Sequence, residues 1–362
     1  MSETTPTTPD ENSSLGAGQV APTPVTVESA STSNPSAVSS FFTGSALRNL
    51  GLVIALVLLA VVGTVTAGER FANFDNFLTI VRFASIIGVI SLGMTFVITA
   101  GGIDLSVGSV MGLATVVASL AAVQSTARGL EPFGWLLMVI AALAVGAGAG
   151  LINGLVVAYG RVVPFMATLA MLVAARGAAE LISNRRTLIV DEPGFLGFFR
   201  GDWLGVPTLI WIFVVMAILA WFLLSRTTFG RRTVALGGNF EASRLAGLKV
   251  KRHTVSLYVL AGTAAGIAAV MMMGRTTSGT STHGTLYELD AIAAVVVGGT
   301  LLVGGRGTII GTIFGVLIFA TLTNVFTQNN LSTSVQAVTK GVIIVIAVLL
   351  QQRFGARGSR ST

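Results

Sequence analysis

Gly101-Gly102-Ile103-Asp104-Leu105-Ser106-Val107-Gly108 separates two apolar runs, residues 83–103 and 105–127, neither of which holds a charge. A carboxylate placed between two membrane-length segments is costly, so Asp104 needs a stated purpose. Glycines on both sides permit a broken or tightly turned backbone, which a bilayer tolerates only inside protein or beside a water-filled cavity. Two readings coexist here. Asp104 or Ser106 caps the next helix at a boundary, or both side chains line a polar path through the membrane. The first consequence holds either way: this chain is embedded in a bilayer.

Composition agrees. Charged residues are 10% of the chain and apolar residues 53%, against about 25% charged in an ordinary soluble domain. Uncharged windows recur at residues 49–68, 83–103, 105–127, 132–160, 203–225, 253–274 and 307–339, each reaching the ~20 residues a spanning helix needs. The expected fold is therefore an all-α polytopic membrane protein of about ten transmembrane helices, some broken or re-entrant. Their centres are expected at Leu56, Val89, Val116, Gly146, Leu172, Val214, Ala264, Val296, Gly315 and Ile344. The eighth is short, bracketed by Asp290 and Arg306, and is a candidate for re-entry. The net charge of +7 belongs to loops at a membrane surface, with lipid and not nucleic acid as its partner. With no cysteine and two histidines, no thiol nucleophile exists and a metal centre is not expected.

Residues 1–46 are rich in Ser, Thr, Pro and Ala and hold no Lys or Arg; they read as a disordered N-terminal tail. Residues 47–353 form the membrane domain and 354–362 a short C-terminal tail. Small residues repeat every fourth position at Gly146, Gly150 and Gly154, at Gly307, Gly311 and Gly315, and at Gly262 and Gly266. Such stripes let helix backbones approach closely where lipid supplies no hydrophobic drive. Gly101–Gly108 also echoes Gly298-Gly299-Thr300-Leu301-Leu302-Val303-Gly304, the weak internal likeness that two related halves would leave.

The second informative stretch is the loop at residues 225–253. Arg226, Arg231, Arg232, Arg244, Lys249, Lys251 and Arg252 crowd into it, which places it and both termini in the cytoplasm by the positive-inside rule. Asn239 is suited to cap a short helix from Phe240 to Ala246, Glu241 to sit in its first turn, and Gly247 to end it. A rigid amphipathic helix at a membrane face suits docking into a partner's groove.

These residues resemble a known family, the permease subunits of ribose-type sugar importers among the ATP-binding-cassette transporters. Glu241-Ala242-Ser243-Arg244-Leu245-Ala246-Gly247 is similar to that family's ATPase-docking loop. Gly101–Gly108 matches its signature, as do Tyr287-Glu288-Leu289-Asp290 continuing to Gly298-Gly299-Thr300, then Gly304, Gly305, Gly307, Gly311 and Thr312. Pro164-Phe165-Met166-Ala167-Thr168-Leu169 and Arg176-Gly177 match as well. The likeness covers about residues 50–353; Thr282–Leu286 departs from the more usual Pro-Thr-Ala-Gly-like approach to Tyr287. The resemblance implies a bacterial cytoplasmic-membrane permease that moves a pentose- or hexose-type monosaccharide. It implies a separate ABC ATPase, an extracytoplasmic sugar-binding protein, and a second permease chain, identical or paralogous. Asn239, Glu241, Ala242 and Gly247 would couple to the ATPase; Asp104, Ser106, Glu288 and Asp290 would belong to the translocation path.

The chain has no Gly-x-x-x-x-Gly-Lys-Ser/Thr loop, and its only lysines are Lys249, Lys251 and Lys340. It cannot cradle ATP in that manner. No cofactor is expected in this chain, and ATP would be used by the partner. Arg176 and Glu180, one helical turn apart, are expected to form a structural ion pair. Glu288 and Asp290 stand at a span start, as caps or as a gate. His253 suits an interface, and Trp203, Trp211 and Trp221 suit membrane boundaries or packing. Two other classes compete. An ion-coupled secondary carrier for a small polar solute also uses intramembrane carboxylates, but gives the Glu241–Gly247 loop no purpose. An intramembrane enzyme needs a nucleophile and a base, and no His lies beside a Ser or Asp in mid-span.

Overall fold

The computed structural model describes residues 45–130 and 132–358. Residues 1–44 and 359–362, which hold most of the two expected tails, lie outside that description. Helix α1 (Ser45–Ala67) leads through a single turn at Gly68–Arg70 into α2 (Phe74–Thr99), followed by α3 (Val107–Ala118), α4 (Ala121–Arg128), α5 (Leu136–Ala158) and α6 (Pro164–Ser183). A connector holds β1 (Leu188–Ile189), α7 (Pro193–Phe199), β2 (Asp202–Trp203) and β3 (Val206–Pro207). Then come α8 (Thr208–Arg226), α9 (Thr228–Gly238), α10 (Phe240–Leu245), α11 (Val250–Thr276), β4 (Ser278–Gly279), α12 (Tyr287–Val297), α13 (Ile309–Gln328) and α14 (Thr333–Gly358). β1 pairs antiparallel with β4, and β2 with β3. The fold class is the all-α polytopic membrane fold the composition requires.

Each expected centre falls on a helix, and the helices are not all full crossings. Seven helices among the described residues are long and apolar enough to span, or eight if one bent pair counts as one span. That pair is α3 and α4, which turn by 53° across their break. The eighth centre lies on α12, whose eleven residues reach only about 17 Å at 1.5 Å per residue, against ~30 Å of hydrocarbon. Sequence windows register continuous apolarity and cannot see a bend.

The central helix is α2, buried without interruption from Ala84 to Thr99. Its start is fixed by Asn73, whose side-chain oxygen accepts from the Asn76 amide at 2.8 Å, and Asp75 sits in its first turn, where the helix dipole favours it. Its end is fixed by Gly101, at φ +82°. The Gly101 amide donates to Ile98 O and the Gly102 amide to Val97 O, both at 2.9 Å, the two crossed bonds of a left-handed glycine stop. Gly299, at φ +90°, ends α12 the same way, with its amide on Val296 O at 2.9 Å and the Thr300 amide on Val295 O at 3.2 Å. The internal echo in the sequence is thus the same helix-stopping device used twice.

Around α2, packing runs through glycine. A Cβ on Gly146 would sit 2.2 Å from Gly262 O, and one on Gly150 2.2 Å from Tyr258 O. The backbones of α5 and α11 therefore touch with no room for a side chain. Gly311 and Gly315 seat α13 against Gly298 and Ala294 in the same manner. By contrast α1 and α6 are largely uncovered, with Val65 and Leu181 both 79% exposed, as lipid-facing helices should be.

Candidate functional site

The site residues gather around the break between α2 and α3 and along α3 itself. Asp104 is 1% exposed. Its Oδ1 accepts from the Ser106 amide at 2.9 Å and the Ser106 hydroxyl at 2.6 Å. Ser106 caps nothing with its own side chain; it is Asp104 that satisfies the opening of α3. Asn153 of α5 donates to Ser106 Oγ at 2.9 Å, and the Thr168 hydroxyl of α6 reaches Ile103 O at 3.4 Å. Asn153 escaped the sequence reading because a lone amide inside a glycine stripe carries no motif.

The basic loop folds as its residues require. Asn239, extended at φ −157°, accepts from the Ala242 amide at 2.9 Å. Glu241 pairs with Arg244 at 2.9 Å. Gly247 has φ +82°, and its amide and that of Leu248 donate to Arg244 O and Ser243 O, each at 3.1 Å. This is again the crossed-bond stop. Preceding it, α9 lies directly on the membrane core. A Cβ on Gly237 would fall 1.9 Å from Thr99 O and 2.5 Å from the Gly305 amide, and that amide donates to Thr99 O at 2.8 Å. His253 is not merely interfacial. It is buried, bonds the Thr233 hydroxyl at 2.9 Å, and packs on Phe229 with ring centroids 4.6 Å apart, so it ties α9 to α11.

The expected Arg176–Glu180 ion pair is not formed. Arg176 Nη1 instead donates to Ser281 O and, at 3.0 Å, to His283 O, while Glu180 binds Arg185 at 3.0 Å. The reason is local. The turn between β4 and α12 presents carbonyls that need donors, and the left-handed residues Asn184 and Arg185 fold Arg185 back over Glu180. His283 lies in that turn, outside the spanning segments. Burial first, and then the Arg176 charge, push its imidazole down to about 4, so it is neutral.

Neither acid of α12 caps its helix, whose N-terminal residue Leu286 is left-handed and uncapped by a side chain. Asp290 is spent on Lys340 of α14, with both carboxylate oxygens within 2.9–3.0 Å of Nζ. Glu288 differs. It is 8% exposed, its Oε2 has no hydrogen-bond partner, and it faces Gly108 so closely that a Cβ there would be 2.3 Å away. A buried carboxylate oxygen left unmatched is a costly arrangement that calls for an explanation. No group of acidic or histidine side chains suited to a metal ion occurs among the described residues.

Comparison with known proteins places this architecture. Residues 76–348 match the family described as branched-chain amino acid transport system / permease component. The ribose import permease protein RbsC of Escherichia coli (strain K12) is 39% identical over 312 residues, covering 85% of this chain and 94% of the relative. RbsC of Bacillus subtilis (strain 168) is 40% identical over 312 residues, covering 86% and 94%. The L-arabinose transport system permease protein AraH of Escherichia coli (strain K12) is 35% identical over 314 residues, covering 87% and 93%. No solved structure matches the chain. The chain belongs to this permease family: it is a multi-pass inner-membrane protein of the ABC-importer class.

Proposed function

We propose that this chain is the membrane-spanning subunit of an importer for a monosaccharide of the ribose or arabinose kind, driven by ATP that a separate ABC ATPase hydrolyses. An extracytoplasmic sugar-binding protein would deliver the solute, and a second copy of this chain or a close paralogue would complete the path. The names of its relatives supply the substrate class. The observation that carries the mechanism is α10, an exposed helix capped at both ends whose connection to the core runs through α9 onto Thr99 and Gly305.

In this reading Asn239, Glu241, Ala242 and Gly247 present α10 to the ATPase. The basic loop, residues 225–253, faces the cytoplasm, as its Lys and Arg content favours, and both termini lie on the same side. ATP binding is assigned to the partner ATPase, since this chain has no Gly-x-x-x-x-Gly-Lys-Ser/Thr loop. Glu288 is the path residue with polar capacity to spare; Asp104 and Ser106 shape the turn beside it, and Asp290 anchors α14. The test is reconstitution with the co-expressed ATPase and binding protein. Labelled ribose should enter vesicles only with ATP on the α10 side and should be indifferent to a protonophore or to sodium. Uptake that persists without ATP and collapses with the ion gradient would establish a secondary carrier instead.

A further inference from the structure

A cavity of about 970 Å³ opens at the α10 end of the molecule. Its walls are the last residues of α5, the turn before α6, α10 and the first turns of α11. Its inner surface is formed by Gly101, Gly102 and Tyr258, and its sides by apolar residues such as Val157, Val163 and Leu257. The entrance carries five cations, Arg161, Arg244, Lys249, Lys251 and Arg252, against the single acid Glu241. Glu241 is already bonded to Arg244. Lys251 rests on the Tyr159 ring at 5.2 Å. None of Arg161, Lys249, Lys251 and Arg252 has an ion-pair partner among the described residues.

The occupant has to answer two features together, a surplus of positive charge at the mouth and apolar walls within. A neutral sugar answers neither. Tyr258 contributes to the wall as a largely buried side chain, 2% exposed. Because the walls are the ends of spanning helices, the mouth lies at headgroup depth, where the phosphate esters within reach are lipids. Basic pockets between transmembrane helices on the cytoplasmic side are suited to such headgroups.

We propose that this cavity binds one anionic phospholipid. Its phosphate sits among Arg161, Lys249, Lys251 and Arg252, and its acyl chains run along Val157, Val163 and Leu257. The lipid would touch α10 and Gly101–Gly102 at once, so it braces the docking helix against the α2–α3 break.

The test is native mass spectrometry of the full-length chain, delipidated and titrated with dioleoyl-phosphatidylglycerol, dioleoyl-phosphatidylcholine or glycerol 3-phosphate. One phosphatidylglycerol should bind, and phosphatidylcholine should bind at least tenfold more weakly. Arg161→Gln/Arg252→Gln should weaken phosphatidylglycerol about twenty-five-fold, at roughly fivefold per charge near an anionic surface. The charge-retaining Arg161→Lys/Arg252→Lys should hold it within a few-fold, as should Arg231→Gln/Arg232→Gln, whose charges lie on the same loop but outside the cavity. Equal losses in both glutamine pairs would mean diffuse attraction and overturn the site. Glycerol 3-phosphate binding as tightly as the lipid would overturn the lipid assignment in favour of a soluble phosphate ester. Retention of phosphatidylglycerol in Arg161→Gln/Arg252→Gln, with loss of ATPase association instead, would assign the cavity to the protein partner. Binding is read without transport, so failure of the sugar-import reading leaves this result interpretable.

Discussion

Gly247 isolates the coupling role of α10 from the stability of the fold. No heavy atom lies within 4 Å of the place where its Cβ would stand, so a substitution there meets no steric obstacle. What it meets is the backbone, at φ +82°. An L-residue with a Cβ in the left-handed region loses about 1–2 kcal/mol relative to glycine, and a β-branched one more. At 1.4 kcal/mol per tenfold, the crossed-bond stop after α10 becomes about five- to thirtyfold less populated in Gly247→Ala. Expression and thermal stability should stay unchanged, because α10 is exposed and the stop contributes little to the core. ATP-driven uptake by the reconstituted complex should fall severalfold in Gly247→Ala and further in Gly247→Val. Asn enters the left-handed region more readily than other non-glycine residues, so Gly247→Asn should recover most of the activity. Uptake and ATPase association at normal levels in Gly247→Val would refute the docking role. So would equal losses in Val and Asn, because then the conformation is not what matters.

Four further outcomes are expected. Gly146→Leu should abolish folded protein, since its Cβ alone would lie 2.2 Å from Gly262 O, whereas Gly148→Ala on the same helix meets nothing within 4 Å and should leave the detergent-solubilised melting temperature unchanged. Asp290→Asn should destabilise by about 3 kcal/mol by orphaning a mostly buried Lys340, and adding Lys340→Met should recover part of that in the same melting assay. A cysteine at Ala242 should react with impermeant maleimide only from the cytoplasmic side, and one at Asn73 only from outside; labelling of position 242 in intact cells overturns the orientation. Asp104→Asn should transport within a few-fold of the parent because its amide oxygen can still accept both Ser106 bonds, while Asp104→Ala loses two bonds to a carboxylate worth about 1.5–3 kcal/mol each and should melt at a lower temperature.

The elements legible in the sequence were those that local chemistry fixes. Apolar length located the helices, Asn239 and Gly247 fixed α10, and the glycine stripes marked the close-packing faces that α5 and α11 turn to each other. Each depends on residues a few positions apart. The misreadings came from choices between distant partners. Arg176 could bond a carboxylate one turn away or carbonyls at Ser281 and His283, more than a hundred residues on, and no periodicity ranks these. Asp290 read as a cap or a gate because its partner Lys340 of α14 is invisible from position 290. The bend at the end of α3 was hidden for a different reason: Leu120, at φ −58° and ψ 139°, leaves the helical conformation within a run that carries no charge to mark the break.

The glycines of the α2–α3 break unite the two stretches that the sequence set apart. Gly101 lets α2 stop; Gly237 lets α9 approach Thr99 O; Gly304, at φ +86°, lets the second motif come so near that its Cβ would lie 2.9 Å from the Gly101 amide. Three backbones thus meet with no side chain between them. Side chains yield by changing rotamer, which absorbs small displacements; backbone against backbone has no such slack. A movement of α10 through α9 would therefore be delivered to the end of α2 and to the 298–308 turn together. Those two segments lead into α3 and α13, and α3 carries the Gly108 face on which Glu288 rests. Small residues at this junction thus serve two ends at once, close packing and an undamped contact between the docking helix and the helix that lines the candidate path.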